Sequence, residues 1–575
     1  MSVNDELKQL ADAYASKKIT RRTLWKGAAA LGLSAPWIAA LEKGATAAPA
    51  PTWTQRKSAN QTDKATTFIV AVEGDIDTFD PGNTVGSKTA QTTLQNIFDQ
   101  LTQYPIVEKQ APDGSTYKTV DATQINPMLC EEWHWDGNNM VFTMRDGLTY
   151  ANGDPIDATT MVAGYTRIEE GTISNWLIGM GGVIKDSSAF QAPDPKTFVI
   201  ALTQQNPLTP KNNVMHNNSC MDPKEIDAHK TADDPWAKEY FKKNLATGNG
   251  PYKLDSYKPG DSITLVANDK YYGEQPKFTT VILKIITEPV QRVQLLQKGD
   301  VDFATLIPKK QVDDLKADPN LKVLLIPSDL IRFIEMNGKI PPFDNKLVRQ
   351  AVAYATPYQT IIDEVYKGYA QPAKSIVPNG MPTSDFSAWK YDTNLDTAKG
   401  LLKQAGFEGG KGLPDINLVY RVGDDEQERT AILMQAQLKQ IGMDVKLQPL
   451  AYAAFNEAEQ AQTRDKLQFW LDEWISWVKD PYYHLSWLGQ SQSVANYPNL
   501  NNARVDEIIA QYTLAPEGPE RDAASVEAQG LVTDECNYVF VCQPNWTVFT
   551  RADIDGYVYY NDELPRYYDF FRTGS

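Results

Sequence analysis

The chain has 575 residues, 42% of them hydrophobic, and a formal net charge of −17 from 56 basic and 73 acidic side chains. This length exceeds what a single hydrophobic core usually serves, so at least two lobes are expected. The acidic balance disfavours binding to nucleic acid or to an anionic membrane surface, so neither is expected as a partner.

The N-terminal segment carries the features of a bacterial export signal in their usual order. Arg21 and Arg22 stand before the apolar run 27–40, and the small residues 45–47 follow it. The apolar run is about 14 residues long, whereas a membrane span needs roughly 20, which disfavours a permanent anchor. An ordinary amphipathic helix is the alternative. We therefore expect a twin-arginine signal peptide over 1–47, cleaved near Ala47, and a periplasmic mature protein.

After a flexible leader expected over 48–66, β-branched and aromatic runs predict strands, and helical periodicity predicts helices. The predicted strands are, in chain order, Thr67–Val72, Asn139–Arg145, Thr197–Leu202, Ser262–Asn268, Val281–Ile286, Leu330–Met336, Ile416–Arg421 and Asp444–Leu450. The predicted helices are Gln91–Leu101, Asp157–Ile168, Val290–Lys298, Lys346–Ala355, Leu395–Ala405 and Glu426–Ile441. The alternation of strands and helices from about residue 330 to 450 is typical of an α/β lobe.

The cysteine content is low for an exported protein. The chain has Cys130, Cys220, Cys536 and Cys542, a density too low for a disulfide scaffold. Cys536 and Cys542 are not expected to pair, because a strand over 538–542 would hold them too far apart. No cysteine follows the apolar N-terminal run at the point where a lipid anchor would be attached.

Seven sequence blocks, in order along the chain, resemble the peptide/nickel family, family 5, of solute-binding proteins from bacterial ABC importers. The most specific is MVFTMRDGLTYANGDPIDA over 140–158, which is similar to the family signature F-x-L-R-x-G-x-x-F-x-D-G-x-P-x-x-A. The other blocks are PMLCEEW (127–133), TGNGPY (247–252), NDKYYG (268–273), LQKGDVD (296–302), PFDNKLVRQAVA (342–353) and AKGLLKQAGF (398–407). Most of these residues are expected to be scaffold, because Gly, Pro and Asn clusters suit turns.

The resemblance implies an α/β fold of two lobes, that of a type II periplasmic binding protein with an extra subdomain. Lobe 1 would comprise 67–328 and 543–575, with the subdomain at about 95–250, and lobe 2 would comprise 329–542. The resemblance also implies that lobe closure captures a small solute, which an ABC permease in the inner membrane then receives. Members of this family are expected to be monomers without a cofactor.

Other functions are possible on the same fold. Presentation of the solute to a chemoreceptor and binding of a chelated metal, of the nickel type, are the two alternatives. An enzyme is not expected, because nucleophile-elbow, zinc-peptidase and phosphate-loop patterns are absent from the sequence. A secreted glycoside hydrolase would be the nearest enzyme class. The four histidines are too scattered to predict a metal site; they are His134, His216, His229 and His484.

One segment bears on the class of solute. In peptide-binding members of the family, a W-x-x-D-Y-x-D-P pattern supplies an aspartate that pairs with the α-ammonium of the peptide. Here the segment reads WLDEWISWVKDPYY over 470–483, and Trp477 occupies the aspartate position three residues before Asp480. Asp472 or Glu473 could supply the carboxylate from a shifted position.

The same segment is rich in aromatic residues, which bind the faces of sugar rings and cations. The aromatic residues are Phe469, Trp470, Trp474, Trp477, Tyr482, Tyr483 and Trp487. An oligosaccharide or an opine-like sugar–amino-acid conjugate is therefore a rival to a short peptide. Trp477 and Trp474 are the candidate stacking residues, although most of these side chains could equally form the core of the lobe.

Five further residues are candidate contacts. Arg332 and Arg421 could hold a carboxylate by bidentate pairing, or could form surface ion pairs. Asn337 follows the predicted strand Leu330–Met336, from where its side chain could reach a ligand. Glu73 and Tyr104 come from the ends of lobe 1 elements, where a structural role is equally expected.

Overall fold

A computed structural model describes residues 64–574, apart from Val85, 112–113, 176–181 and 460–466, and only Ser16, Lys18 and Thr20 before them. The expected signal peptide with Arg21 and Arg22, its cleavage near Ala47 and most of the leader lie outside the described residues. The sheets and helices of the described fold belong to one compact unit, Lys64–Ser575. Among the described residues, no helix combines the length and hydropathy that a membrane span requires.

The first large sheet has seven strands and surrounds the strand Thr67–Val72. That strand pairs in parallel with two neighbours, and five of its six residues are buried. Phe68 and Val70 pack into one core cluster, whereas Ala71 packs into another with Leu296 and Leu315, so both faces are covered. In spatial order the strands are Tyr252–Lys258, Ser262–Ala267, Thr280–Ile285, Thr67–Val72, Phe303–Ala304, Trp546–Arg551 and Leu321–Ile326. The helices Lys88–Ile97, Pro289–Lys298 and Val312–Lys316 flank this sheet.

The second large sheet has six strands and surrounds the strand Ile331–Met336. Ile334 and Met336 face one core cluster, and Ile331 and Phe333 face another. In spatial order the strands are Ala370–Pro372, Tyr538–Pro544, Ile331–Met336, Phe469–Trp474, Ile416–Arg421 and Val445–Leu450. The helices Lys346–Ala355, Leu395–Gln404 and Asp425–Lys439 cover the first face, and Ala503–Tyr512 and Pro519–Glu535 cover the second. This arrangement is the α/β lobe that the alternating pattern predicts.

A smaller four-stranded sheet and one long helix enlarge the first part of the molecule. Its strands are Cys130–Asp136, Asn139–Met144, Thr197–Ala201 and Phe190–Asp194, covered by the helix Ala158–Gly171. Arg167 of that helix forms a buried two-contact ion pair with Asp80, at 2.5 and 3.0 Å. Asp80 belongs to the loop after the strand Thr67–Val72, so the added layer fixes this loop.

Short elements complete the described fold. The remaining strands are Thr102–Gln103, Ile106–Gln110, Thr116–Val120, Asn126–Pro127, Ile554–Asp555, Val558–Tyr559 and Phe571–Arg572. The remaining α-helices are Thr209–Asn212, Pro223–His229, Lys238–Phe241, Tyr358–Thr360, Tyr452–Glu459 and Pro481–His484. All four cysteines are buried and free.

The chain passes between the two large sheets at two neighbouring segments. It leaves the first sheet after Ile326 and enters the second at Ile331, and it returns through the single residue Asn545. The hydroxyl of Ser328 donates to the carbonyl of Pro544 at 2.5 Å, and the Gln543 amide donates to the carbonyl of Ser328. These bonds hold the two crossing segments side by side.

Candidate functional site

A cavity of about 660 Å³ lies between the two large sheets, next to the crossing segments. On the first side it is lined by the loop after Thr67–Val72, by the start of the helix Lys88–Ile97 and by residues 306–309. On the other side it is lined by Arg332, Glu473 and residues 421–426. The volume is within the usual range for small-molecule sites, roughly 300–1,000 Å³.

Charged side chains of both signs line this cavity. Its acidic residues are Glu73, Asp75, Asp77, Asp424, Asp425, Glu426, Glu473 and Glu563, and its basic residues are Lys88, Arg292, Lys309, Arg332 and Arg421. Such a lining suits a solute that itself carries charge, because burying charge against unlike charge limits the cost of desolvation.

The wall from the second sheet is a network of shared ion pairs. Arg332 contacts Asp424 at 2.7 Å and Glu473 at 2.9 Å. Arg421 pairs with Asp472 and lies 3.5 Å from Glu473. Burial by itself would raise the pKa of Glu473, but the two guanidinium groups lower it to about 2. Each arginine is therefore already matched by carboxylates of this chain.

The wall from the first sheet holds its charges more loosely. Lys88 lies 3.1 Å from Glu563 and 5.1 Å from the centre of the Trp546 ring, and 31% of its side chain is exposed. The Lys309 ammonium donates to the hydroxyl of Thr547 at 2.8 Å, and burial lowers the pKa of Lys309 to about 8. One oxygen of Glu73 accepts a hydrogen bond from the hydroxyl of Thr305 at 2.6 Å.

Apolar side chains from both walls also reach the cavity. Leu306 is 46% exposed and Val422 is 59% exposed, and both line it. Leu306 has a φ of 45°, a left-handed conformation that costs a residue with a Cβ roughly 1–2 kcal/mol. Its carbonyl accepts a 2.7 Å hydrogen bond from the buried Arg292, which holds this strained backbone in place.

Direct contacts join the two walls around the cavity. The backbone N–H of Lys309 donates to Glu426 at 3.0 Å, and Lys310 pairs with Asp425 at 2.5 Å. Farther away, Lys211 of the added layer contacts Asp480 at 3.1 Å and Glu517 at 2.9 Å. The two walls of the cavity are therefore held together by direct contacts.

Four of the residues selected from the sequence line this cavity: Glu73, Arg332, Arg421 and Glu473. Asp472 lies behind the wall as a partner of Arg421. Asn337 is fully buried, donates to the carbonyl of Leu467 at 3.0 Å and accepts from Asn499 at 3.0 Å. Tyr104 is also buried, and burial, Asp480 and Asp562 raise its pKa.

Trp474 and Trp477 lie elsewhere, against an apolar cluster that includes Leu208, Met215 and Tyr483. The backbone carbonyl of Trp477 accepts a hydrogen bond from Asn561 at 2.7 Å. Asp480 caps the helix Pro481–His484 and pairs with Arg521 at 2.8 Å, which is a structural role.

Sequence reasoning missed several lining residues, namely Lys88, Leu306, Lys309, Trp546 and Glu563. One general signal points to some of them. Loops that follow the carboxyl ends of strands in α/β sheets commonly form ligand crevices. The loop after Thr67–Val72 and the turn 422–424 after Ile416–Arg421 both fit that rule.

Comparison with known proteins gives consistent results. The sequence model described as "Bacterial extracellular solute-binding proteins, family 5 Middle" matches residues 124–496. The "Probable D,D-dipeptide-binding periplasmic protein DdpA" of Escherichia coli (strain K12) is 25% identical over 502 residues, which cover 86% of this chain and 91% of DdpA.

Two solved structures have a similar fold. The periplasmic binding protein DppA from Helicobacter pylori, in complex with the peptide STSA, aligns with a TM-score of 0.76 and 21% identity. That alignment covers 88% of this chain and 98% of DppA. The binding protein AgaA from A. tumefaciens R10, in complex with agropinic acid, aligns with a TM-score of 0.73 and 20% identity over 88% of this chain and 99% of AgaA.

Proposed function

Since the chain belongs to family 5 of the bacterial extracellular solute-binding proteins, we propose that it captures a small zwitterionic solute between its lobes for an ABC importer. The family consists of transport binding proteins, and its relatives are periplasmic. The two crossing segments would act as the hinge, with lobe 1 built on the first large sheet and lobe 2 on the second. An inner-membrane permease would then receive the solute from the closed form.

The observation that carries this proposal is the cavity of about 660 Å³ between the two large sheets, with charges of both signs on its walls. A solute selects the closed form only by binding it more tightly than the open form. Groups contributed by both walls provide that difference, because they meet around the solute only after closure.

The solute carboxylate is assigned to Lys88. This side chain stands in the first turn of the helix Lys88–Ile97, where the helix dipole also favours an anion. Its ammonium has three donors, so it can bind a solute carboxylate while keeping Glu563 as a partner. The two arginines suit this task less well, because Asp424, Glu473 and Asp472 already hold them.

The solute ammonium is assigned to Glu73. Trp477 replaces the carboxylate that peptide-binding relatives use, so another acidic residue must take that task. Glu73 lines the cavity and accepts a hydrogen bond from the neutral hydroxyl of Thr305. Its charge also attracts Lys88 and Arg292, and a solute ammonium would add to these interactions. Leu306 and Val422 would contact the apolar part of the solute.

The relatives narrow the class of solute. DdpA is named for D,D-dipeptides, DppA was crystallised with a peptide and AgaA with agropinic acid. A dipeptide or tripeptide carries an ammonium at one end and a carboxylate at the other, and opines with a free amine also carry both charges, which the mixed lining matches. A neutral oligosaccharide has no charged group for Lys88 or Glu73. We therefore favour a short peptide, with an opine-like conjugate as the second candidate.

The test is a thermal-melting and calorimetric comparison of a dipeptide pool with the same dipeptides N-acetylated or C-amidated, beside opine and oligosaccharide pools. A solute at 100 times its Kd adds about 2.7 kcal/mol to stability. We expect the free dipeptides or the opines to raise Tm and both blocked forms to lose at least tenfold in affinity. Binding of neutral oligosaccharides with equal or better affinity would refute the proposal.

Variants assign the two charges separately. Glu73→Gln should lower the affinity for the free peptide but not for its N-acetyl form. Lys88→Met should lower the affinity for the free peptide but not for its C-amide. Lys109→Met, at an exposed position on the strand Ile106–Gln110, is the matched control and should change neither affinity. If Trp477→Ala instead removed solute binding at unchanged stability, the aromatic platform would replace this assignment.

A further inference from the structure

Three carboxylates converge in the second lobe behind the wall of the cavity. Glu335 lies on the strand Ile331–Met336, Asp472 on Phe469–Trp474, and Glu459 at the end of the helix Tyr452–Glu459. One oxygen from each lies within 4.8 Å of the others. Glu335 is fully buried, and Glu459 and Asp472 are each 7% exposed.

Sheet register brings two of these carboxylates together. In the antiparallel pairing, Glu335 stands opposite Trp470, and Phe333 stands opposite Asp472. Glu335 and Asp472 are therefore diagonal neighbours on one face of the sheet. Phe455 anchors the helix Tyr452–Glu459 on that face by packing with Trp470, which brings Glu459 over the same spot. Two of the three carboxylates thus stand on rigid strands, as a preformed ligand site requires.

The cluster lacks enough positive charge from the described part of the protein. Arg421 pairs with Asp472, but it is also drawn to Glu473 at 3.5 Å. Both carboxylate oxygens of Glu335 and one of Glu459 are buried without a hydrogen-bond partner among the residues that the structure describes. A buried carboxyl group in this position needs a partner, a counter-charge or a proton, and burial raises the pKa of Glu335 and of Glu459. A cation would supply the counter-charge that the described residues do not give to the orphaned oxygens of Glu335.

We propose that Glu335, Glu459 and Asp472 bind a divalent cation, with Ca²⁺ as the preferred ion. An ion at 2.3–2.6 Å from each ligand is consistent with oxygens up to about 4.8 Å apart. An all-carboxylate set suits hard cations such as Ca²⁺, Mg²⁺ and Mn²⁺, and it lacks the nitrogen or sulfur ligands typical of structural zinc. Mg²⁺ demands shorter, near-octahedral coordination, so it is expected to bind more weakly.

The cation would act as a support for the solute cavity. Asp472 is shared between the cluster and Arg421, and Arg421 lines the cavity. A bound ion would hold one oxygen of Asp472 and would neutralise Glu335 and Glu459. Because Arg421 pairs with Asp472, the position of Arg421 in the cavity wall would then be fixed as well. Cation binding is therefore expected to stabilise the second lobe and to preserve the shape of this wall.

The experiment uses the full mature protein, treated with EDTA and dialysed, and titrated with CaCl2, MgCl2 and MnCl2 in melting and calorimetric assays. Terbium luminescence sensitised by the adjacent Trp470 gives a direct second readout. We expect Ca²⁺ to raise Tm by about a degree or more at saturating concentration, and to displace terbium. A protein whose Tm and terbium signal are unchanged by every cation would overturn the proposal.

Isosteric variants locate the site. Glu335→Gln and Asp472→Asn should each lower the Ca²⁺ affinity at least tenfold. The Glu335→Gln variant is expected to fold without the ion, because the substitution removes a buried charge. Asp444→Asn, at an exposed position of the same lobe, is the matched control and should leave Ca²⁺ affinity unchanged. Equal Ca²⁺ affinity in Glu335→Gln, Asp472→Asn and the parent protein would show that the ion binds elsewhere, and would overturn the assignment.

Discussion

The two walls of the cavity carry the same kinds of charged side chains and hold them in different ways. In the lobe 2 wall, Arg332 and Arg421 share Glu473 and have further carboxylate partners. In the lobe 1 wall, Lys88 contacts the carboxylate of Glu563 and the ring of Trp546, and the Lys309 ammonium contacts the hydroxyl of Thr547. A network of shared ion pairs holds its side chains in fixed positions. Charges with fewer partners keep capacity for a solute, so the lobe 1 wall is expected to recognise it and the lobe 2 wall to support it.

The largest expected effect comes from breaking the lobe 2 network at its shared carboxylate. Glu473→Gln removes the carboxylate that Arg332 and Arg421 share and leaves each guanidinium with one carboxylate partner, and we expect a loss of about 2–4 kcal/mol in the free energy of unfolding at pH 7. The lowered pKa of Glu473, about 2, means that its contribution is present above pH 4.5 and disappears as the pH falls towards 2. Urea denaturation in EDTA across this range measures it.

The control for that variant is Glu131→Gln, whose side chain is 46% exposed. Surface changes of this kind usually stay within about 0.5 kcal/mol. A Glu473→Gln protein that matched this control at pH 7 would show that the shared carboxylate does not stabilise the wall.

An intermediate effect is expected at Lys309, on the opposite wall. Burial lowers the pKa of this lysine to about 8, so the folded protein releases the proton before the unfolded chain does. The charged form therefore costs stability below pH 8, and stability rises with pH between 8 and 10.5. Lys309→Met should be about 1–2 kcal/mol more stable than the parent protein at pH 7.

Denaturation of the Lys309→Met and parent proteins at pH 7, 9 and 10.5 tests the sign. The difference in the free energy of unfolding between the two proteins should shrink as the pH rises, because the parent protein loses its buried charge. Lys310→Met is a neighbouring control at a more exposed position that pairs with Asp425. A difference that is independent of pH would contradict the assigned cause.

The smallest effect is expected at Leu306, whose strained backbone belongs to the lobe 1 wall. Leu306→Gly relieves the left-handed conformation, and Leu306→Ala keeps it, so the glycine variant should be the more stable of the two by about 1 kcal/mol. Both variants should lose solute affinity to a similar degree, because both remove the apolar side chain. Equal stability of the two would show that the backbone at this position is not strained.

The sequence predicted the secondary structure of both lobes closely. Three elements have the predicted bounds: the strands Thr67–Val72 and Ile416–Arg421 and the helix Lys346–Ala355. These segments have strong periodicity or β-branched runs and clear end signals, such as Asn345 capping the helix that follows it. The helix predicted over 91–101 begins earlier, at Lys88, because Ser87 caps it, and it ends at Ile97.

The cavity was harder to predict, because its walls combine segments from opposite ends of the chain. Hundreds of positions separate Glu73 from Glu563 and Lys88 from Trp546, and no local pattern links the members of either pair. Trp474 and Trp477 show the opposite case, in which a local sequence pattern predicts binding residues that do not line the cavity. Their aromatic segment resembles a binding platform in the sequence, yet these two side chains lie against the apolar cluster that includes Leu208 and Met215.

The sequence by itself determined the family, the α/β class and the order of strands and helices, because each of these depends on local periodicity, turns and ordered motifs. The tertiary structure decided which charges are already neutralised by the chain and which face the cavity. It also brought Glu335, Glu459 and Asp472 together through strand register and helix packing. Electrostatic pairing depends on distances across the fold, and those distances exist only when the sheets and helices are packed.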